Sequence, residues 1–514
     1  MTKAPEKIEL CRGPVADGAP LVVWIDGVIS PVASHFDQAG QLWREWSKEL
    51  NGDPSAVLAH TASAAPNNSD LGVVLAWFAC LREGLSQGRP IKVQTNDPWI
   101  YRCLLASFPV IETGTAPALA LPELKLWLRG MAARLRFALR TALKRRPHRP
   151  QWPDNAPAMI AYGHPASSPD GHDGYFGDLL KAIPRLKRIV HVDATPQNRQ
   201  HLCADGSSAD LESWGSRLYA LLRLSTARWV PRHHDLQGPL GWLIRRAAAL
   251  EGSRAQGAAI AWQIHCQKRW LHKAKPKTVV WPWENHGWER ALVAEARKLG
   301  IRTIGHQHSV IGQQFNIGCL TLEDLPDIVA ANGPSGFQQL ERRGVPVERM
   351  TIAGTLRFKK PADGGPVYDP NGPIFLAVPF DHRVAGQMID ALRPVAASGL
   401  TVLMRDHPLF PVAFEDSANF HRAPGPLPSM DAVRCVIFAA TTVGLESLLA
   451  GLPTIRFIPS GCVAVDILPD FVPTPTANAA TVLTAVLDAV PPPPLHWTDV
   501  FAEPDLDFWR RQLT

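Results

Sequence analysis

The chain has 514 residues, 46% of them hydrophobic, with 53 Lys and Arg against 47 Asp and Glu for a net charge of +6. That length holds two or more domains with cores of their own, while so small a basic excess gives no ground for nucleic-acid binding. The eight cysteines are scattered with no C-x-x-C pair, no apolar run is long enough to span a bilayer, and MTKAPEKIEL lacks a signal-peptide core; these features point to reduced thiols, no bound metal and a cytoplasmic location.

Residues 21–29 (LVVWIDGVI) predict a buried strand that ends at Asp26-Gly27. Asp26 is there either a base at a strand end or an ordinary turn aspartate. Helices over 41–50 and 71–84 and a strand over 91–94 continue an alternating α/β pattern. Over 122–149, Leu124, Trp127, Met131, Leu135, Ala138 and Ala142 recur every three or four positions, with nine Lys and Arg around them and only Glu123 in opposition. A basic amphipathic helix of this kind suits an anionic membrane surface, or else the solvated face of an ordinary packed helix.

A strand over 277–281 runs into Pro282-Trp283-Glu284-Asn285-His286-Gly287-Trp288-Glu289, and the next, over 301–304, runs into Gly305-His306-Gln307-His308-Ser309. Consecutive parallel strands that both end in titratable clusters set those clusters side by side on one sheet edge. Glu284 can act there as a base or hydroxyl clamp, and His308 as a proton carrier or phosphate ligand. Residues 359–372 (KKPADGGPVYDPNG) read as an inter-domain linker. Beyond it, a strand over 400–405 ends in Arg405-Asp406-His407-Pro408, and Pro408 biases His407 away from helical geometry, leaving its imidazole at the strand tip.

Residues 435–457 (CVIFAATTVGLESLLAGLPTIRF) form a strand, a turn, a short helix and a strand, the crossover unit of a parallel sheet. Thr441 and Thr442 sit at the strand–helix junction, where they either hydrogen-bond a phosphate or only cap the helix. Glu446, one turn on, can accept from a ribose hydroxyl. The single Asp-x-Asp, Asp505-Leu506-Asp507, lies in the tail and reads as a solvated turn.

The stretch from Gly444 to Pro453 resembles the donor-binding signature of GT-B glycosyltransferases, in which a glutamate-bearing helix precedes a Gly-x-Pro turn. Asp406-His407-Pro408 is similar to the His-Pro motif of bacterial sialyltransferases and Kdo transferases, and Thr441-Thr442 stands where those families carry a paired-hydroxyl motif. Trp283-Glu284-Asn285-His286-Gly287-Trp288-Glu289 followed by Gly305-His306-Gln307-His308-Ser309 looks like a further signature of bacterial surface-polysaccharide biosynthesis proteins. The resemblance implies an α/β chain of two Rossmann-like domains facing a cleft: an acceptor-side unit over 1–358, the linker, a nucleotide-sugar domain over 373–490 and a tail over 491–514 that packs back. It implies a metal-independent transferase without a cofactor, moving a CMP-activated acidic sugar such as Kdo or a nonulosonate onto a glycan or lipid-linked glycan at the inner membrane face. Glu284, His407 and Asp26 are its implied catalytic residues, and His308, Gln307, Asn285, Arg405, Thr441, Thr442 and Glu446 its substrate contacts. Two departures stand out: the hydroxyl pair is Thr-Thr rather than Ser-Ser, and only Asp26-Gly27 matches the acidic base motif. A CDP-glycerol-type polyol-phosphate transferase, an epimerase of the same fold and a non-catalytic polysaccharide assembly factor are the alternatives.

Overall fold

The most fully buried strands are short apolar runs, such as TVVWP over Thr278–Pro282 and IFLA over Ile374–Ala377. Strands apolar on both faces pair in parallel beneath helices on either side. The computed structural model describes residues 7–15, 19–30, 32–50, 52–60, 70–144, 152–153, 155–310, 312, 321–360, 365–408 and 410–514. Two doubly wound sheets of this kind form its centre.

The first has seven strands, all parallel. Ala158–Ala161 starts it, Lys187–Val190 and Ser208–Asp210 add outward on one side, and the chain then returns through the helix Gln256–Ala274. Thr278–Pro282 pairs on the other side of Ala158–Ala161, and Arg302–His306, Ile328–Ala331 and Met350–Ile352 follow outward from it. The winding direction therefore reverses between Ala158–Ala161 and Thr278–Pro282. The second sheet repeats the plan with six parallel strands: Ile374–Ala377, Val402–Arg405 and Phe420–Arg422 run one way, and Cys435–Phe438, Thr454–Phe457 and Thr476–Ala477 the other. Its reversal lies between Ile374–Ala377 and Cys435–Phe438. The chain is thus α/β with two Rossmann-like sheets, the arrangement the sequence led us to expect.

Within residues 1–358 there is a second sheet, of five strands, besides the seven-stranded one, and the described residues up to Thr113 form an N-terminal unit around it. Ile8–Arg12 pairs in parallel with Ile91–Thr95 and Val110–Thr113, while Val22–Ile25 joins Ile91–Thr95 antiparallel. The expected strand over 21–29 is in fact a hairpin, since Val22–Ile25 turns back onto Val28–Ile29. Asp26 and Gly27 make the turn, with φ of 55° and 79°, as a two-residue primed turn requires. Asp26 is exposed there and pairs with Arg89 at 2.5 Å.

Tryptophan fills much of the space around the seven-stranded sheet. Trp214, Trp262, Trp270, Trp281 and Trp283 are all fully buried in one cluster with Ile160, Ile189 and Val279. The C-terminal helix Leu506–Leu513 closes the opposite face of this sheet, burying Trp509 against Ile304 and Ala330. Asp505 caps that helix by accepting from the Phe508 N–H at 2.8 Å, and Asp507 pairs with Arg510, so the Asp-x-Asp of the tail serves local structure.

The basic helix spans Ala120–Leu143; Arg145, Arg146 and Arg149 lie outside the described residues. Only part of the expected apolar face turns inward. Ala138 and Ala142 pack with Gly130 and Arg134, whereas Leu124, Trp127, Met131 and Leu135 remain exposed. The reason is a close approach: a Cβ on Gly130 would lie 1.9 Å from the Gly252 carbonyl, so the helix rests on its neighbour along its small-residue side. No helix among the described residues is long and apolar enough to cross a membrane.

Candidate active site

In a doubly wound sheet the crevice opens where the winding reverses, beyond the carboxyl ends of the two central strands. In the first sheet the loop after Thr278–Pro282 borders that crevice, and its shape is set by Glu289. This buried carboxylate accepts from Trp281 Nε1–H at 2.8 Å and from the backbone N–H groups of Glu284, Asn285 and His286 at 3.1, 3.0 and 3.2 Å. The loop folds around it, with Asn285 in the left-handed region at φ 61°. Removing the acceptor leaves four donors facing a dry pocket. Glu289→Ala is therefore expected to destabilise the fold by about 2–4 kcal/mol, which urea unfolding measures as a lower midpoint.

Glu284 is thereby turned into the mouth of the crevice, where its side chain is partly exposed. Its Oε2 lies 2.7 Å from His286 Nε2 and its Oε1 3.4 Å from His308 Nε2. Three rings complete the surroundings. His60, from the N-terminal unit, packs edge-on against His286 at 5.4 Å, Tyr175 against His308 at 4.8 Å, and Trp288 against His191 at 4.7 Å. Tyr162 Oη, both polar atoms of the Asn285 side chain, His286 Nδ1 and His308 Nδ1 are buried without a hydrogen-bond partner among the described residues. Buried polar atoms are almost always paired, so these side chains carry unused hydrogen-bonding capacity around the Glu284–His286 contact.

The ionisation pattern follows from the same contacts. Burial works to raise the Glu284 carboxyl, but the His286 hydrogen bond and the fields of His286, His308 and His60 prevail and hold it at about 2. Burial works to lower His286, and the hydrogen bond and charge of Glu284 with the field of Glu289 overcome it, so His286 is raised. Burial dominates at His308 and His60, and each falls to about 4. The centre thus pairs an anionic Glu284 with a His286 of enhanced basicity, between two neutral imidazoles.

In the second sheet, the loop after Cys435–Phe438 holds Ala440 at φ 49°, again a left-handed residue at the point of reversal. Thr441 Oγ1 accepts from the Val443 N–H at 3.1 Å, a local capping role. The helix that follows, Val443–Leu449, has only seven residues, and its start is fixed because Gly444 packs flush on the Phe438 ring, which a Cβ would meet at 2.4 Å. Thr442 Oγ1 lies 3.4 Å from Glu446 Oε1. Burial raises the Glu446 carboxyl, with Thr442 and the Arg357 charge pulling it back.

Arg357 joins the two halves. Its guanidinium lies 5.4 Å from the Tyr175 ring, its charge lowers His308, and with Thr442, Glu446, Phe358, Trp497 and Phe501 it lines a cavity of about 430 Å³. A second cavity, of about 650 Å³, meets the first at Arg357 and extends past Lys360 to His172 and Asp178.

No protein-family model matches the chain. No curated protein matches it by sequence. Among solved structures, the glycotransferase of kitacinnamycin aligns at 11% identity and a TM-score of 0.38, over 70% of this chain and 95% of its own. MurG of Acinetobacter baumannii aligns at 12% identity and 0.35, over 70% and 99%. A UDP-N-acetylglucosamine 2-epimerase from Rickettsia bellii aligns at 11% identity and 0.36, over 68% and 88%. Likeness at that level decides nothing about substrate or reaction, and the site has to be read from its own side chains.

Of the residues singled out in the sequence, Glu284, Asn285 and His308 come together at the first crevice, and Thr442 and Glu446 at the second. Asp26 does not join them, because the hairpin turn carries it to an exposed edge and pairs it with Arg89. Gln307 is committed to the fold: its Nε2 donates to the Ser309 carbonyl at 2.7 Å and its Oε1 accepts from the Asn332 N–H at 3.2 Å. His306 is buried against Phe176 and Trp509. His407 packs beside Phe380 and Phe410 at a strand tip two strands from Thr441, and Arg405 before it is exposed; neither lines the Arg357 cavity. His286 lies inside a quoted motif, yet its role emerges only from the 2.7 Å contact with Glu284. Arg357 and His60 lie in no motif at all. Among the described residues no group of three or more His, Cys, Asp and Glu side chains is arranged to hold a metal ion.

Proposed function

We propose that the protein is a nucleotide-sugar-dependent glycosyltransferase, with a CMP-activated acidic sugar such as Kdo or a nonulosonate as donor and a glycan or lipid-linked glycan as acceptor. The observation that carries this reading is the Glu284–His286 pair, with its orphaned Nδ1 at one crevice and an arginine-lined cavity leading to Thr442 and Glu446 at the other. Glu284 orients His286 through Nε2, and Nδ1 accepts the proton of the acceptor hydroxyl as its oxygen attacks the anomeric carbon. The bond from that carbon to the donor phosphate breaks, and the electron pair leaves with the nucleotide. Arg357 and Lys359, both at the cavity, offset the charge that develops on the phosphate. Glu446 receives the ribose hydroxyls, and Phe358, Trp497 and Phe501 provide faces for the base. A cavity of about 430 Å³ suits a mononucleotide. No metal is required by this reading; cytidine as the base comes from the sequence resemblance of Asp406-His407-Pro408 alone, since His407 of that motif lies outside the Arg357 cavity.

The test is thermal unfolding of the wild type and Arg357→Met with CMP, CDP and UDP. At about 100-fold over the dissociation constant, CMP should stabilise the wild type by about 2.7 kcal/mol, and Arg357→Met should lose most of that shift. A response to CDP or UDP in place of CMP would replace the donor class, and silence from all three would remove the transferase reading.

A further inference from the structure

The geometry points to a lipid-docking face on the helix Ala120–Leu143, fitted to the interface of an anionic bilayer. It rests on that helix and its neighbour Arg217–Arg223 and is independent of the proposed function. Along one side, Leu121, Leu124, Leu128, Met131, Leu135 and Leu139 are all between 42% and 72% exposed. Leu143 extends the stripe at 80%. From Leu121 to Leu143 it runs about 33 Å at 1.5 Å per residue. The helix Arg217–Arg223 packs against this one and presents Leu218, Leu221 and Leu222 to solvent as well, while its Ala220 and Leu224 side joins Ala138 and Ala142 in the core. So many large apolar side chains left exposed along one helix face are unusual on a protein that meets only water.

Charge identifies what covers it. At 100° per residue, Lys125, Arg129, Arg136 and Arg140 fall together along one border of the stripe, and all four are exposed with no ion-pair partner among the described residues. The other charges of the helix are already engaged. Glu123 pairs with Arg245 at 2.6 Å, Lys144 with Glu212, and Arg134 is buried against the Ser225 and Gly252 carbonyls. A row of leucines edged by unopposed cations matches acyl chains below a layer of anionic headgroups. A second copy of this chain would set the same four cations against one another, which disfavours self-association through this face.

Co-sedimentation of the full-length protein with vesicles tests this. Binding should be strong on phosphatidylcholine containing phosphatidylglycerol, weak on phosphatidylcholine alone, and reduced by salt. Arg129→Gln and Arg136→Gln should each weaken binding to the anionic vesicles about fivefold. Leu128→Glu with Leu135→Glu should weaken it at least about tenfold on either lipid. Both leucines point away from the core, so each variant should keep the wild-type melting temperature, which separates lost docking from lost folding. Wild type that ignores anionic vesicles at low salt would overturn the proposal. So would binding unaffected by the leucine pair, or a concentration-dependent dimer that those same substitutions abolish.

Discussion

Glu284→Gln is expected to lower sugar transfer by two to four decades while nucleotide binding at the Arg357 cavity stays intact. The size follows from what the carboxylate does. It fixes the His286 ring through a 2.7 Å contact and raises its affinity for a proton. Transfer needs His286 unprotonated, so the rate should rise with pH through a pKa above the ordinary 6.5 of histidine. With glutamine at 284 the largest raising charge is gone, burial is opposed only by the weaker fields of Glu289 and Asp193, and that limb should move to lower pH. A purely structural role for Glu284 would lower the amount of folded protein without moving the limb. A variant with wild-type rate and profile would remove both the Glu284–His286 pair and the base assignment.

Both Rossmann-like sheets were legible because parallel strands buried on two faces write themselves as unbroken apolar runs. The polar clusters that follow those runs mark the carboxyl ends where crevices form. Glu284, His308, Thr442 and Glu446 could be found for that reason. Local pattern failed where one residue type serves two ends. Asp26 at a strand end and Asp26 in a primed hairpin turn look alike in sequence, and only the short return strand Val28–Ile29 separates them. Gln307 and His306 alternate with His308 along the chain, yet backbone donors and packing claim them for the fold. The basic helix shows the same ambiguity, because its small residues and its leucines share one sequence period, and the contact at Gly130 decides which side is buried. Arg357 and His60 reach the site across long sequence separations, and no local spacing records such an approach.

Arg246→Met is expected to destabilise the protein by about 3–5 kcal/mol. Arg246 is buried in the helix Gly241–Gly252 and donates to two carboxylates of the N-terminal unit. Its Nε meets Asp97 Oδ2 at 2.5 Å, and Nη1 and Nη2 meet the two oxygens of Asp70 at 2.7 and 2.6 Å. Asp97 also caps the helix Pro98–Ser107 by accepting from the Trp99 and Ile100 N–H groups. Removing the guanidinium therefore leaves the half-buried Asp97 carboxylate unpaired at a helix start and an empty space where the buried guanidinium sat, which costs more than the pair itself contributes. Adding Asp97→Asn should recover part of the loss, since asparagine keeps the cap and carries no charge. Urea unfolding of the single and double variants measures this, and a single variant within about 1 kcal/mol of wild type would show the network to be dispensable. The consequence extends to the site. Glu251 of the same helix accepts from the His60 N–H at 2.9 Å, and His60 packs against His286. The arginine that joins the N-terminal unit to the first Rossmann-like sheet thus also fixes the segment that walls the Glu284–His286 pair, so transfer in Arg246→Met should fall even at temperatures where the variant remains folded.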